Sequence, residues 1–240
     1  MRIIPLIVLA QLMYFHAAAQ QDQAFRINSV NADSSGYYRS VYGYPKFTEG
    51  YILSSDGKTA SALLNYNRLS GQILFIDRKG DTLEFADPGS FRYVTIRKDT
   101  FYYFDKAYLK LISHYNTINL YKKETIQYSG KEKKGAYGGY SGTTAANSIN
   151  KVSDEIDLKK IRVDENILYA SSTGYYLGAP GGNYYPAVKK NFKKIFPQKE
   201  KQLDDYLAKN KINYRAEADL LRLLDHLQKE QPFRHCASSF

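Results

Sequence analysis

Gln72-Ile-Leu-Phe-Ile76, Asp77-Arg-Lys-Gly80 and Asp81-Thr-Leu-Glu-Phe85 follow one another without interruption, and this stretch decides the fold. A short apolar run of strand formers, a turn signal and a returning run make a β-hairpin on both propensity and punctuation. The pattern extends in both directions. Upstream, Tyr51-Ile-Leu53 meets the turn signal Ser55-Asp56-Gly57, and Thr59 to Tyr66 follows as a strand. Downstream, Asp87-Pro-Gly89 turns the chain, Phe91 to Ile96 alternates, and Lys98-Asp-Thr100 leads into Phe101-Tyr-Tyr-Phe104. Residues 108–115 place Leu109, Leu111 and Tyr115 on one face if extended, with Tyr108, Ile112 and His114 on the other. The segment 107–115, with its Ala, Leu and Lys, also permits a helix, but strand is the preferred reading. Ile118, Leu120 and Thr125 to Tyr128 continue the same character. About eight short, regularly spaced strands with almost no helical period predict an antiparallel meander, folded as a sandwich or small barrel.

Around this strand-rich domain, 50–128, other segments take their places. Residues 20–49 hold Asn31-Ala-Asp-Ser-Ser-Gly36 and Gly43-Tyr-Pro45 with few apolar positions in register, and read as an extended lead-in. Residues 129–150 contain Ser129-Gly-Lys-Glu-Lys-Lys-Gly135 and the glycine-rich run to Thr144, too polar to offset the entropy of ordering by burial, and read as a mobile loop or linker. Residues 151–182 supply further extended stretches that complete the β domain. Residues 183–230 are helical: Pro186 suits a first turn, Val188, Phe192, Ile195 and Phe196 share a face, and Leu203, Tyr206 and Leu207 share the next. After Asn213 as a cap, Leu220, Leu223, Leu224 and Leu227 follow the i, i+3, i+4, i+7 rule. About three short amphipathic helices result, and such lengths need a surface to pack on. Residues 231–240 read as a flexible tail. The class is therefore mainly β with C-terminal helices (α+β).

The first 19 residues read as a secretory signal peptide: a basic start at Arg2, an apolar run from Ile3 to Tyr14, and Ala17-Ala-Ala19 for a signal peptidase. A membrane-spanning helix needs about 20 apolar residues, more than this run supplies. The expectation is a secreted or periplasmic, soluble protein without a transmembrane segment after signal removal. Cys236 is the sole cysteine, so no intramolecular disulfide is possible, which fits a bacterial envelope protein better than an animal secreted module. At 43% hydrophobic and 24% charged residues the chain is globular in composition rather than disordered. The formal net charge of +10 steers it toward anionic partners; outside the cytoplasm those are headgroups, lipopolysaccharide or acidic glycans sooner than nucleic acid.

Motifs for chemistry are weak. There is no His-x-x-x-His, no Gly-x-Ser-x-Gly elbow and no cysteine pair for zinc, so no metal or other cofactor is expected and catalytic residues stay unknown. The run Gly135 to Thr144 lacks the lysine of a phosphate loop. Cys236 beside His235 lies in the tail, where nothing holds a nucleophile and base in geometry. Asp77, Asp81 and Glu84 surround a turn, where aspartates ordinarily bond their own backbone, and Glu200, Asp204 and Asp205 belong to a solvated helix face. The unusual feature is tyrosine, 23 copies with doublets at 37–38, 102–103, 175–176 and 184–185. On a strand each doublet splits its rings between opposite faces, and outward tyrosines suit protein or glycan contact. Tyr103, Tyr108, Tyr176, Tyr185, Lys189 and Lys193 are accordingly the candidate contact surface.

The leading signal, the segments Leu64-Asn-Tyr-Asn67, Ile73-Leu-Phe-Ile76 and Leu83-Glu-Phe85, and the late stretch Phe192-Lys-Lys-Ile-Phe-Pro-Gln198 with Leu203 to Asn213 together resemble secreted or periplasmic proteins of uncharacterised function from Bacteroidetes. The resemblance implies an envelope location and transfers no catalytic residue. The expected function is a non-catalytic envelope protein that binds another protein or an acidic surface polymer. A hydrolase of an envelope polymer is the first alternative, to be told by a cleft where acids or His114 converge. A lipid-interacting module is the second, drawn from Lys189, Lys190, Lys193 and Lys194 beside Phe192 and Phe196.

Overall fold

The computed structural model describes residues 24–28, 34–115, 118–134, 140–143, 165–179 and 182–228. The segment 1–19 expected to be a signal peptide, parts of the 129–150 and 151–182 segments, and the expected tail at 231–240 lie outside these residues. Among the described residues, twelve strands form one antiparallel sheet. Strand β1 is Ala24–Asn28 and helix α1 is Ser34–Val41; then come β2 (Thr48–Ser54), β3 (Thr59–Asn67), β4 (Gln72–Ile76), β5 (Thr82–Glu84), β6 (Phe91–Ile96), β7 (Asp99–Phe104), β8 (Ala107–His114), β9 (Asn119–Lys134), β10 (Tyr140–Thr143), β11 (Glu165–Gly178) and β12 (Tyr184–Pro186). Helices α2 (Lys189–Ile195), α3 (Glu200–Lys209) and α4 (Glu217–Gln228) finish the described chain. The antiparallel meander followed by short helices, expected from the sequence, is what the chain forms. Its order is β1-β11-β9-β8-β7-β6-β2-β3-β4-β5, with β10 paired to β9 and β12 to β11.

The hairpin at 72–85 forms as read, with Phe75 opposite Leu83. Its turn works through Asp77, whose carboxylate accepts from the amides of Lys79 and Asp81 at 2.8 Å each, while Gly80 takes a φ of 91° that favours glycine. The β3–β4 turn then bends the sheet back on itself. Tyr108 N donates to Gly71 O at 2.8 Å and Ile126 N donates to Arg68 O at 3.0 Å, so this turn is bonded to β8 and β9. The two wings thus face each other in sandwich fashion over Ile52, Leu64, Tyr66, Ile73, Val94, Ile96, Phe101 and Tyr108. A second core lies where α2, α3 and α4 cover the ends of β9 and β11, joining Leu120, Tyr175 and Leu177 to Phe192, Leu203 and the four leucines of α4. On the opposite face of the sheet, Tyr102, Leu109, Tyr121 and Tyr184 make a third cluster.

Several boundaries differ from expectation. The extended lead-in contains a helix, α1, because the segment is fastened from outside: Gly43 N donates to Tyr66 O and Arg68 N to Val41 O. Buried Asn65 completes this tie, its Oδ1 accepting from the amides of Tyr44 and Tyr66 and its Nδ2 donating to Tyr38 Oη and Tyr44 O. Residues 129–134 belong to β9 and 140–143 to β10, so much of the supposed loop is strand, organised by backbone pairing of β9 with β11 and of β10 with β9. Pro186 ends β12 instead of opening a helix, and α2 starts at Lys189.

Candidate functional site

Strand alternation sends Tyr93 and Tyr102 to the face that carries Phe104, Tyr121 and Tyr184. There the end of β2, the turn before β6, β6, β7 and the returning β12 surround a cleft of about 530 Å³. Its walls are Leu53, Phe91, Tyr93, Tyr102, Tyr103, Phe104 and Tyr184, with Ser55, Gly89, Arg92 and Gly182 at intervals. The rings brace each other at angles: Phe104 and Tyr184 have centroids 4.9 Å apart, Tyr93 and Tyr102 6.0 Å, and Tyr184 meets Tyr121 edge-on at 4.9 Å. Tyr184 and Tyr102 are 7% and 9% exposed and form a floor, whereas Phe91, Tyr93, Tyr103 and Phe104 are half-buried and present surface. Burial, reinforced by Tyr93 nearby, holds the Tyr102 hydroxyl above the usual phenol range, so it enters contacts neutral. Arg92 is exposed, and its Nη2 donates to Ser55 O at 3.3 Å. The cleft wall therefore combines aromatic faces with one cation, and among the described residues no carboxylate or histidine lines it.

Ionisable side chains converge elsewhere. A strip on the curled inner face, between the first two cores, collects Arg68, Asp99, Lys110, Lys122 and Glu124 around a pocket of about 40 Å³ that Tyr44, Tyr66 and Tyr108 also border. Lys110 and Lys122 sit directly opposite one another on β8 and β9, an arrangement of like charges that needs compensation. Asp99 supplies it for Lys110 at 2.9 Å and also accepts from Tyr44 Oη at 2.6 Å. Glu124 at 2.8 Å and Glu217 at 3.8 Å do the same for Lys122. Burial pushes the Asp99 carboxyl up, but the Tyr44 hydroxyl and the Lys110 ammonium outweigh it and hold it below the ordinary range. Asp99, Glu124 and Glu217 are thus engaged as charge partners. The volume suits water rather than a polymer segment, since ligand clefts run to about 300–1,000 Å³.

The residues expected to form one contact surface are dispersed. Tyr103 lines the cleft. Tyr108 is a correction: it is 1% exposed, packed edge-on against Tyr103 with centroids 5.2 Å apart, because the curl covers the inner face of β8. Tyr176 is half-buried, 6.4 Å from Phe104, and Tyr185 lies under Lys194, whose Nζ is 4.3 Å from the ring centroid. Lys189 and Lys193 come together on Asp204 at 3.1 and 2.7 Å, with Glu200 adding a second partner for Lys193 at 2.7 Å. Two of the four lysines of α2, Lys189 and Lys193, are thereby paired with acids of α3, which reduces the charge a lipid-binding helix would offer. His114 is exposed at the end of β8, and His226 stacks on Tyr206 at 4.4 Å. Among the described residues no group of three or more His, Cys, Asp or Glu side chains is placed to hold a metal ion, and no described helix is long and apolar enough to cross a membrane. The sequence missed Phe91, Arg92, Tyr93, Tyr102 and Tyr184; alternation alone pairs Tyr93 with Tyr102, but only the return of β12 adds Tyr184. Comparison with protein-family models, with curated proteins and with solved structures finds no match.

Proposed function

We propose that this chain is an exported, non-catalytic binding module that takes a segment of an envelope polymer or partner into the aromatic cleft. One observation carries the reading: a cleft of about 530 Å³ whose described lining is aromatic and cationic, without an acid or histidine to transfer protons. The basic balance of the chain supports an anionic target, and the signal at 1–19 supports a location outside the cytoplasm. Hydrolysis of a polymer draws little support, because the convergent acids are ion-paired around a pocket too small for one.

Retention of envelope components by the immobilised, exported protein tests this. Replacing the half-buried wall residues, Tyr93→Ala with Phe104→Ala, is expected to abolish retention while far-UV circular dichroism stays unchanged. Retention that survives both substitutions in a folded protein removes the cleft from the function.

A further inference from the structure

We propose that the ligand of the cleft is an acidic saccharide segment, about two or three sugar residues by volume, with a carboxylate received by Arg92. This rests on the binding reading above and adds the chemistry of what is bound. The Tyr93 and Tyr102 hydroxyls make no hydrogen bond to any described residue, although both rings help wall the cleft. An aliphatic or acyl ligand would bury those hydroxyls unpaired, at a cost. A sugar ring offers both things the wall asks for, a C–H face to lie on aromatic rings and an edge of hydroxyls to exchange hydrogen bonds with phenols.

Arg92 sets the sign of the ligand. Its guanidinium is exposed at the wall, bonds only the Ser55 carbonyl, and has no carboxylate partner among the described residues. A planar fork of free donors matches a carboxylate in two-bond fashion. An acidic peptide would satisfy Arg92 equally well, but its backbone would not be satisfied. Peptides are held in grooves largely by adding a strand to a free edge; β6 and β7, which carry most of the wall, are each paired on both sides, β6 with β2 and β7, β7 with β6 and β8, and β12, which pairs β11 alone among the described strands, is 3 residues long and offers too short an edge for a ladder. A peptide's amides would face rings instead of a backbone ladder.

The test is calorimetric titration of the exported protein with three probes: a panel of uronate- and sialate-bearing di- to tetrasaccharides, their methyl esters, and triglutamate. The panel is expected to contain at least one saturable binder whose ester binds about tenfold more weakly, as loss of a charge-assisted pair requires. Arg92→Gln should erase that difference, and Tyr93→Phe with Tyr102→Phe should weaken acid and ester alike. Equal binding of acid and ester overturns the role of Arg92, and tighter binding of triglutamate than of every saccharide makes the ligand a peptide. If no saccharide binds while Tyr93→Ala with Phe104→Ala still abolishes envelope retention, the saccharide assignment fails and the binding reading stands. If retention is indifferent to those substitutions, the underlying reading fails as well.

Discussion

Asp105 and Lys106 turn β7 into β8 with φ angles of 48° and 61°, a two-residue loop of the kind that ordinarily recruits Asn-Gly or Asp-Gly. Lys106 therefore holds a left-handed conformation against its own Cβ. Lys106→Gly is expected to raise stability by about 0.5–1 kcal/mol in urea denaturation. A loss would mean that the lysine stem contributes packing that outweighs its backbone strain. Gly50 presents the reverse case, since a Cβ there would lie 2.3 Å from Thr95 O and 2.7 Å from Leu64 Cδ1. Gly50→Ala is expected to cost about 1–3 kcal/mol by the same measurement; an unchanged midpoint would show that β2 and β6 separate freely. The turns at Ser55-Asp-Gly57 and Asp77 to Gly80 were legible because glycine supplies the positive φ in each. The turn at Asp105-Lys106 was illegible for the complementary reason, a lysine where glycine is the usual signal. Tyr108 was misplaced because alternation assigns a face without saying whether anything covers it.

Among the elements, α4 was the most legible, since its leucine spacing admits one burial pattern and Leu220, Leu223, Leu224 and Leu227 are all fully buried. Leu224→Ala is expected to lower stability by about 2–5 kcal/mol, and a loss under 1 kcal/mol would show that the helices pack loosely on β9 and β11. Helix α1 was not legible, because its stability comes from partners in β3 that lie more than twenty residues away, Asn65 foremost. The ionic strip carries a pH signature. Asp99 is depressed in the folded protein, so its contribution is fully present above the ordinary aspartate value of about 3.9 and is lost as pH falls through the lower folded value. Lys122 is shifted the other way: burial pushes it down, but Glu124 and the neighbouring acid Glu217 outweigh this and raise it. Its contribution is fully present below about 10.4 and is lost as pH rises through the folded value. Asp99→Asn is expected to lower the denaturation midpoint at neutral pH, with the difference from the native protein shrinking as pH falls below about 3.9. A difference constant from neutral pH to pH 2 would disconnect Asp99 from acid stability.

At the scale of the whole molecule, the local hairpins were legible and their assembly was not. Each hairpin is written in a few adjacent residues, such as Phe75 opposite Leu83. The pairing of β2 with β6, of β9 with β11 and the bend closed by Arg68 and Gly71 join residues far apart in the chain, and no local signal encodes them. The cleft depends on all of these, because its wall is gathered from β2, β6, β7 and β12. Sequence could name aromatic candidates but could not gather them. Long-range pairing of this sort also slows folding, and refolding from urea is expected to take milliseconds to seconds by stopped-flow tyrosine fluorescence, the chain having no tryptophan to interfere. Completion within microseconds would contradict so non-local a sheet.

The two bonds that fasten the β3–β4 turn to Tyr108 and Ile126 also set a schedule. In a chain delivered amino end first through a translocation pore, as the proposed export requires, Leu64 and Ile73 emerge well before the partners that will enclose them. The earliest strands must then wait with their greasy sides bare, and that interval is when a chaperone on the far side of the pore would have something to hold.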